Sequence, residues 1–575
     1  MSPRAPVKKA KTRGRPKLSK AEREQRRLQR RQKSEIRAVF DAAGFTRVGH
    51  AADVEFRFDS HVSDFDDVFV LENVVVLVEY TTTQSNGISE HIKKKDILYK
   101  TITESPERFM AFARGKPLKI DDPVLAKYAD HQIQLVVLYC AREQVPPSVK
   151  QQISFVKYFD YEIVQYFKSL TGAIRKSARY EFLDFLGVGF EEFDSQSIHP
   201  GSGQSRTFSG SVLPETHSNF PPGYKVASLY MDPQSLLSRA YVLRRDGWRD
   251  GGATYQRLII KSKIEALRKY LLDQQRVFVN NVIVTLPQGT KILDGKGNTI
   301  DTSAITSTRA ASIQITEAFN SVGIVDGQHR LYSYHEGGSN DDKVGRLRAQ
   351  QNLLVTGIVY PEDVPDRERE RFEAKLFLEI NANQANARSD LKQAILQILD
   401  PFSDDSVARA VLVSLNQAGP LAGMFQRFSW ETRLLKTTTV VSYGLRPLVR
   451  VTTSKLFADW TDPSKPSVLR GKDEQALERY IKYASDNINI FLAAAKKNLA
   501  SQRWRVRDKG DDGLVTTTLV NGLLGAMRQG LDSGVAIEFE GLDQRFRSLA
   551  RFNFAEYKSS QYTRMSSALA QKFLT

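Results

Sequence analysis

Two apolar runs joined by a short turn constrain this chain more than any other feature. In "DFDDVFVLENVVVLVEYTTT", residues 64–83, β-branched and aromatic residues fill two strand-length stretches, and Glu72-Asn73 is the turn between them. Carboxylates stand at the ends of this hairpin: Asp64, Asp66 and Asp67 before the first strand, Glu79 at the end of the second. Helical patterns surround it. One covers Ile36–Ala43 and another covers "SEHIKKKDILYKTITESPERFMAFAR". "IQLVVLYC" reads as a further buried strand, and "SFVKYFDYEIVQYFKSLTGAIRKSARYEFLDFLG" as helix with interleaved aromatics. Residues 35–194 therefore read as an α/β unit.

Residues 195–224 are rich in Ser, Gly and Pro and read as a linker or exposed loop. Beyond them the alternation resumes. "YQRLIIKSKIEALRKYLLDQQRVFVNNVIVTLP" gives a helix and a strand, "SIQIT" and "VGIV" are short strands, "HRLYSYHEG" opens a helix, and "NLLVTGIVYP" is another strand. Residues 225–400 thus form a second unit of mixed α and β type, and residues 401–575 are mostly helical. The expected class is α/β multidomain, in keeping with 575 residues at roughly 100–200 per domain.

The net charge of +17 is uneven: residues 1–37 hold 15 Lys/Arg against 3 Asp/Glu. Residues 1–34 read as a basic tail, disordered before Leu18 and partly helical after it, with Ser19 and Glu22 spaced as a capping box. Such a tail points to a polyanionic partner. Arg13-Gly14-Arg15-Pro16-Lys17 sharpens this. Glycine lets the backbone lie close to a groove floor, proline holds the chain extended, and two arginines enter the negative minor groove of A·T-rich DNA. The pentad resembles an AT-hook core; the plainer reading is a tail that binds any nucleic acid. Cys140 is the only cysteine, so no intramolecular disulfide or thiolate cluster forms. No apolar run approaches the ~20 residues of a membrane span, and no secretory signal is present. The chain reads as soluble and cytoplasmic, with DNA as its partner and no membrane.

Carboxylates at the ends of adjacent strands can share a hard divalent ion such as Mg²⁺, which activates water for phosphodiester cleavage. The hairpin resembles that of the PD-(D/E)xK nuclease superfamily: an acid before the hairpin (Asp66), an acid at the end of the next strand (Glu79) and a lysine two residues later. Thr81 stands at the lysine position and supplies no positive charge. Lys93, Lys94 and Lys95, on the following helix, are the candidates to replace it. The resemblance implies a restriction-endonuclease-like unit with Asp66 and Glu79 as catalytic and metal-binding residues. An inactive version of the same fold, kept for DNA binding, is the alternative.

A second constellation lies in "VGIVDGQHRLYSYHEG", residues 322–337. Asp326-Gly327 marks a turn between an apolar strand and a helix start, where the helix dipole favours an anion. Gln328, His329 and Arg330 offer donors at the same point, Arg330 as a bidentate fork and His329 as a proton donor or shuttle. A phosphate-bearing ligand is the natural inference. The five residues match a named motif, and the chain is similar to the DGQHR-domain family, which includes DndB-type proteins of DNA phosphorothioation systems. That family itself resembles the ParB/sulfiredoxin fold. Two further stretches carry the resemblance: Tyr255-Gln256-Arg257 before the helix "KIEALRKYL", and "FLEINANQANARSDL" with Asn381, Asn383 and Gln384.

The resemblance implies an α+β central unit and a pocket built from Asp326, Gly327, Gln328, His329 and Arg330, with Gln256, Arg257, Asn381 and Asn383 around it. ATP or CTP is the nucleotide it implies, with His329 and Arg330 catalytic where hydrolysis occurs. Glu265 falls on the helix that carries a catalytic acid in some relatives. The implied setting is a DNA-binding protein of a bacterial DNA-modification or phage-defence system, working beside other proteins of that system. A non-enzymatic DndB-like transcriptional regulator is a further reading. Trp504, between Arg503 and Arg505, reads as a packed core residue with solvated arginines rather than a base-stacking platform. No Walker A motif, zinc-type Cys/His spacing or GxSxG elbow occurs in the sequence.

Overall fold

The computed structural model describes residues 19–83, 85–193, 205–242, 259–382, 399–426, 431, 433–471, 473–499, 501–507, 512–558 and 560–574. The basic pentad Arg13–Lys17 lies outside these residues, as do Gln256, Arg257, Asn383 and Gln384.

Helix α1 (Lys20–Ala43) begins with the expected capping box: the Ser19 hydroxyl accepts the Glu22 amide, and the Glu22 carboxylate accepts the Ser19 amide. It ends at Gly44, whose φ of 94° only glycine adopts without strain. Its second half buries Ile36, Val39, Phe40 and Ala43 against a five-stranded sheet. The strands in chain order are β1 (Thr46–Arg47), a separate hairpin of β2 (Phe56–Phe58) and β3 (His61–Ser63), then β4 (Asp67–Leu71), β5 (Val74–Thr81), β6 (Gln134–Ala141) and β7 (Lys157–Tyr158). The sheet order is β1-β4-β5-β6-β7. β1, β4 and β5 are antiparallel neighbours, and β6 and β7 run parallel to β5.

The crossover from β5 to β6 carries α2 (Ser85–Lys93), α3 (Asp96–Glu104) and α4 (Pro106–Ala113). Strand β5 explains the continuous apolar run. Val74, Val76 and Val78 pack on the α1 side, while Val75 and Leu77 pack on the α3–α4 side. A strand buried on both faces needs apolar residues at every position.

The stretch expected as helix over 154–187 is divided. β7 pairs with Leu138 and Tyr139 at the sheet edge. α5 (Pro147–Gln152) precedes it, α6 (Tyr161–Ile174) follows, the chain turns at Arg175 with φ 49°, and α7 (Arg179–Leu186) resumes.

The expected linker also differs. Residues 205–213 form β8 (Ser205–Leu213), followed by the helical turn α8 (Glu215–Ser218). Small residues there serve close packing: a Cβ at Gly210 would collide with the Ser228 carbonyl of the neighbouring strand. β8 belongs to an eight-stranded sheet with β9 (Lys225–Met231), β10 (Ala240–Val242), β11 (Val282–Thr285), β12 (Lys291–Leu293), β13 (Arg309–Thr316), β14 (Val322–Asp326) and β15 (Leu353–Val359). The order is β10-β14-β11-β15-β9-β8-β13-β12. Its helices are α9 (Pro233–Arg239), α10 (Lys261–Gln274), α11 (Gln328–Tyr332), α12 (Asp341–Gln350) and α13 (Asp366–Ala382).

One hydrophobic core runs through both sheets, from Phe40 and Phe182 to Val284 and Ile324. A polar seam joins them as well. Glu336 donates its amide to the Ser177 hydroxyl at 2.9 Å, accepts from Gln234 at 2.9 Å and pairs with Arg179 at 2.7 Å. The C-terminal helices, among them Asp404–Gln417, Glu474–Lys497, Thr517–Asp532 and Tyr562–Phe573, enclose a core of their own. Trp504 is buried in it and donates its indole N–H to the Pro420 carbonyl at 2.7 Å, as the packing reading requires. Among the described residues no helix is long and apolar enough to cross a membrane.

Candidate functional site

The carboxylates at the end of the β4–β5 hairpin are brought together. Asp66 is tied to β5 on both sides of Glu79: its amide donates to the Val78 carbonyl at 3.0 Å, and its carboxylate accepts the Tyr80 amide at 2.8 Å. Glu79 is buried. The cation beside it is Lys95, from the turn between α2 and α3. Its ammonium donates to Glu79 Oε2 at 2.8 Å and to Asp64 Oδ1 at 3.0 Å. Lys93 and Lys94 are exposed. Thr81 spends its hydroxyl on Thr83 at 2.9 Å. Lys95 therefore places a positive charge beside Glu79 from another element.

Asp67 has a different role. Arg37, Arg47 and the Tyr80 hydroxyl all donate to its fully buried carboxylate, so it locks α1 and β1 to the sheet.

Burial pushes the Glu79 carboxyl up to about 7, against the pull of Lys95, and the charges of Asp66 and Asp64 push the same way. Burial would lower the Lys95 ammonium, but Glu79 and Asp64 outweigh it and hold it above its ordinary value. Tyr99 is raised by burial and by the Glu79 charge. His91, bonded to the Tyr139 hydroxyl at 2.9 Å, is lowered by burial and by Lys95. A buried carboxyl raised toward neutrality beside a cation makes this cluster a candidate site.

Among the described residues no group of three or more His, Cys, Asp and Glu side chains is arranged to hold a metal. Asp66 and Glu79 still present a pair of hard oxygen donors. Mg²⁺ commonly takes one or two protein carboxylates and fills its remaining positions with water and phosphate. Both carboxylates are balanced by ammonium groups, Glu79 by Lys95 and Asp66 by Lys33 of α1 at 2.7 Å.

The Asp326–Arg330 turn is built differently. Gly327 has φ 93°, and a Cβ there would lie 3.2 Å from Val282 Cα, so both conformation and space call for glycine. Helix α11 is only five residues long, and the dipole expected from a full helix at this turn does not form. Past Tyr332 the chain tightens: the Tyr334 and His335 amides donate to the Leu331 and Tyr332 carbonyls at 3.0 and 3.1 Å. Arg268 donates to the Ser333 and His335 carbonyls at 3.1 and 2.7 Å, and Arg348 donates to the Tyr334 carbonyl at 2.7 Å. These are the acceptors a longer helix would need.

The Arg330 fork is already engaged, with the Asn281 carbonyl at 2.8 Å and Asp326 at 3.1 Å. His329 Nε2 accepts the Ile260 amide at 3.4 Å. Gln328 is buried, and among the described residues neither its amide nitrogen nor its amide oxygen has a hydrogen-bond partner. Asn381 lies in the last turn of α13. Glu265 is exposed on α10 and paired with Lys261 at 3.7 Å. It lines an open cleft of about 660 Å³ with Lys269, Lys343 and Arg346 rather than the turn.

Two groups of residues were not singled out by sequence. Lys33 and Gln32 reach the first site from α1, the latter donating to the Thr81 and Cys140 carbonyls at 3.2 and 3.0 Å. Glu373 of α13 is buried behind β14 and accepts from Thr285, Tyr360 and Tyr241 at 2.8, 2.9 and 3.1 Å. Gly323 leaves room for this hydroxyl cluster. Neither group has a local motif: Lys33 reaches Asp66 across 33 residues, Gln32 reaches Thr81 across 49 and Glu373 reaches Thr285 across 88. Comparisons with protein-family models, curated proteins and solved structures return no match.

Proposed function

We propose that this chain is a DNA nuclease of the PD-(D/E)xK type in which Lys95 replaces the lysine absent at Thr81. The observation that carries the reading is the Lys95 ammonium held between Glu79 and Asp64, with Asp66 stitched to the strand on either side of Glu79. The mixed sheet supports it: an antiparallel hairpin is followed by a helical crossover to a parallel strand, with the acids at one end.

Asp66 and Glu79 are the residues that would hold Mg²⁺, which supplies an activated water and charge for the leaving oxygen when bound. The chain's own groups do the rest. Glu79 must lose its proton to act as a ligand, so function improves as pH rises through about 7. Lys95 remains protonated and presents a fixed positive charge to the phosphate under attack. The basic tail of residues 1–34 supports DNA as the polymer.

The Asp326–Arg330 turn serves as a second, ligand-holding site, a reading supported by the unpartnered amide of Gln328. A nucleotide such as ATP or CTP is the ligand that the motif's resemblance favours. Together the two sites describe a nuclease of a bacterial DNA-modification or defence system whose central unit senses a nucleotide.

The test is scission of supercoiled plasmid by the full chain with Mg²⁺. Wild-type protein nicks or linearises the DNA, and Glu79→Ala abolishes this. Scission that survives Glu79→Ala refutes the assignment.

A further inference from the structure

Helix α1 carries a row of cations that begins at the carboxylates and leaves the body of the protein. Arg23, Arg26, Arg30, Lys33 and Arg37 are spaced by three, four, three and four residues, so they share one face of the helix. Lys33 and Arg37, at the inner end, bind Asp66 and Asp67 at 2.7 and 2.8 Å. Arg23, Arg26 and Arg30 continue the row along the exposed half. Neither Arg26 nor Arg30 forms a salt bridge among the described residues. Glu24 and Glu35 lie on the opposite face, where Glu35 is held by Arg31 and Lys168. Glu22 lies on the cationic side, but its carboxylate is committed to the Ser19 amide at 2.8 Å.

We propose that this row is a binding track for the phosphate backbone of duplex DNA, which it delivers to the Asp66–Glu79–Lys95 site. Ten residues of helix from Arg23 to Lys33 span about 15 Å. At roughly 3.4 Å of rise per phosphate along one strand, that length matches about four phosphates. The helix is a rigid mount, because its buried half is packed into the core and its inner cations are locked to the sheet. Duplex DNA is favoured over RNA because the basic pentad Arg13–Lys17, whose sequence resembles a minor-groove-binding core, lies shortly before the helix in sequence. The track deepens the nuclease reading and rests on it for its destination, although binding along it does not require cleavage.

The experiment measures equilibrium binding of the full chain to a fluorescent DNA duplex in EDTA across a salt series. It compares wild type with the triple variant Arg23→Gln, Arg26→Gln and Arg30→Gln. A control of equal charge loss carries Lys455→Gln, Lys482→Gln and Arg551→Gln in the helical C-terminal region. The track variant is expected to bind at least tenfold more weakly, and its log–log salt slope to fall by about 2–3, near 0.9 per lost phosphate contact. The control is expected to keep the wild-type slope. An unchanged slope in the track variant, an equal fall in the control, or tighter binding to an RNA duplex of the same sequence overturns the proposal. All of this is read without metal. A track that passes while plasmid scission fails therefore condemns the nuclease reading alone.

Discussion

The hairpin site and the Asp326–Arg330 turn both end an apolar strand in polar residues, but they handle charge in opposite ways. At the hairpin every carboxylate is paired with a cation: the buried Glu79 with Lys95, the half-buried Asp66 with Lys33, and the buried Asp67 with Arg37 and Arg47. At the turn Arg330 and Asp326 satisfy each other, and the buried Gln328 amide has no partner among the described residues. An unpaired buried charge is too costly to persist, whereas an unpaired buried amide costs about 1–3 kcal/mol and can be carried. The charges of the first site are thus balanced among the described residues, whereas the second keeps a buried amide that no described group satisfies.

This contrast breaks most easily at Asp66. Asp66→Ala removes a proposed ligand and leaves Lys33 only its longer pairing with Asp53 at 3.6 Å, so plasmid scission should drop by more than about 1,000-fold. Duplex binding in EDTA should hold or strengthen, since a negative charge has been removed. Loss of binding together with scission would show that Asp66 is only a structural brace.

A second test uses the Glu79 carboxyl, raised from 4.5 to about 7. The native state favours its protonated form. Its contribution to stability is therefore fully present below about pH 4.5 and is lost as pH rises through about 7. Integrated over that window it amounts to roughly 3 kcal/mol. Hydrogen exchange of the β5 amides should show local stability falling over this range in wild type, and Glu79→Gln should flatten the fall. The same slope in both proteins would mean that Glu79 is ionised throughout.

The smallest effect sharpens the other side of the comparison. Gln328→Leu replaces an unsatisfied amide with a side chain of similar volume and should stabilise the chain by about 1 kcal/mol, seen as a higher thermal midpoint. Calorimetric titration with ATP and with CTP should show affinity reduced at least tenfold. A destabilised variant would mean that the amide has a partner in the native protein.

How much of this was legible in the sequence depends on distance along the chain. The β4–β5 hairpin was readable because every position of β5 from Val74 to Val78 is buried, and a strand covered on both sides leaves an uninterrupted apolar run. Asp66 and Glu79 were readable because they flank that run. Lys95 could be named only as one of three neighbouring lysines, since the turn between α2 and α3, not local spacing, aims it at Glu79. Lys33 lies 33 residues from Asp66 and carries no local signal. The Ser/Gly-rich stretch misled, because β8 needs small residues where β9 crosses closely, and that composition also marks loops. The helix expected after Gly327 stops after five residues, where the chain tightens into i→i+3 turns, and Arg268 and Arg348, remote in sequence, take the carbonyls just beyond it.

The central claim is that Lys95 does the work Thr81 cannot, and a rescue experiment addresses it directly. Glu79 and Thr81 are two residues apart on one strand, so a lysine at position 81 would rise from the same face as Glu79. Mg²⁺-dependent plasmid scission would be compared for wild type, Lys95→Ala, and Lys95→Ala combined with Thr81→Lys. A loss of about 100-fold or more is expected in the single variant, with partial recovery in the double. Full scission by Lys95→Ala would contradict it.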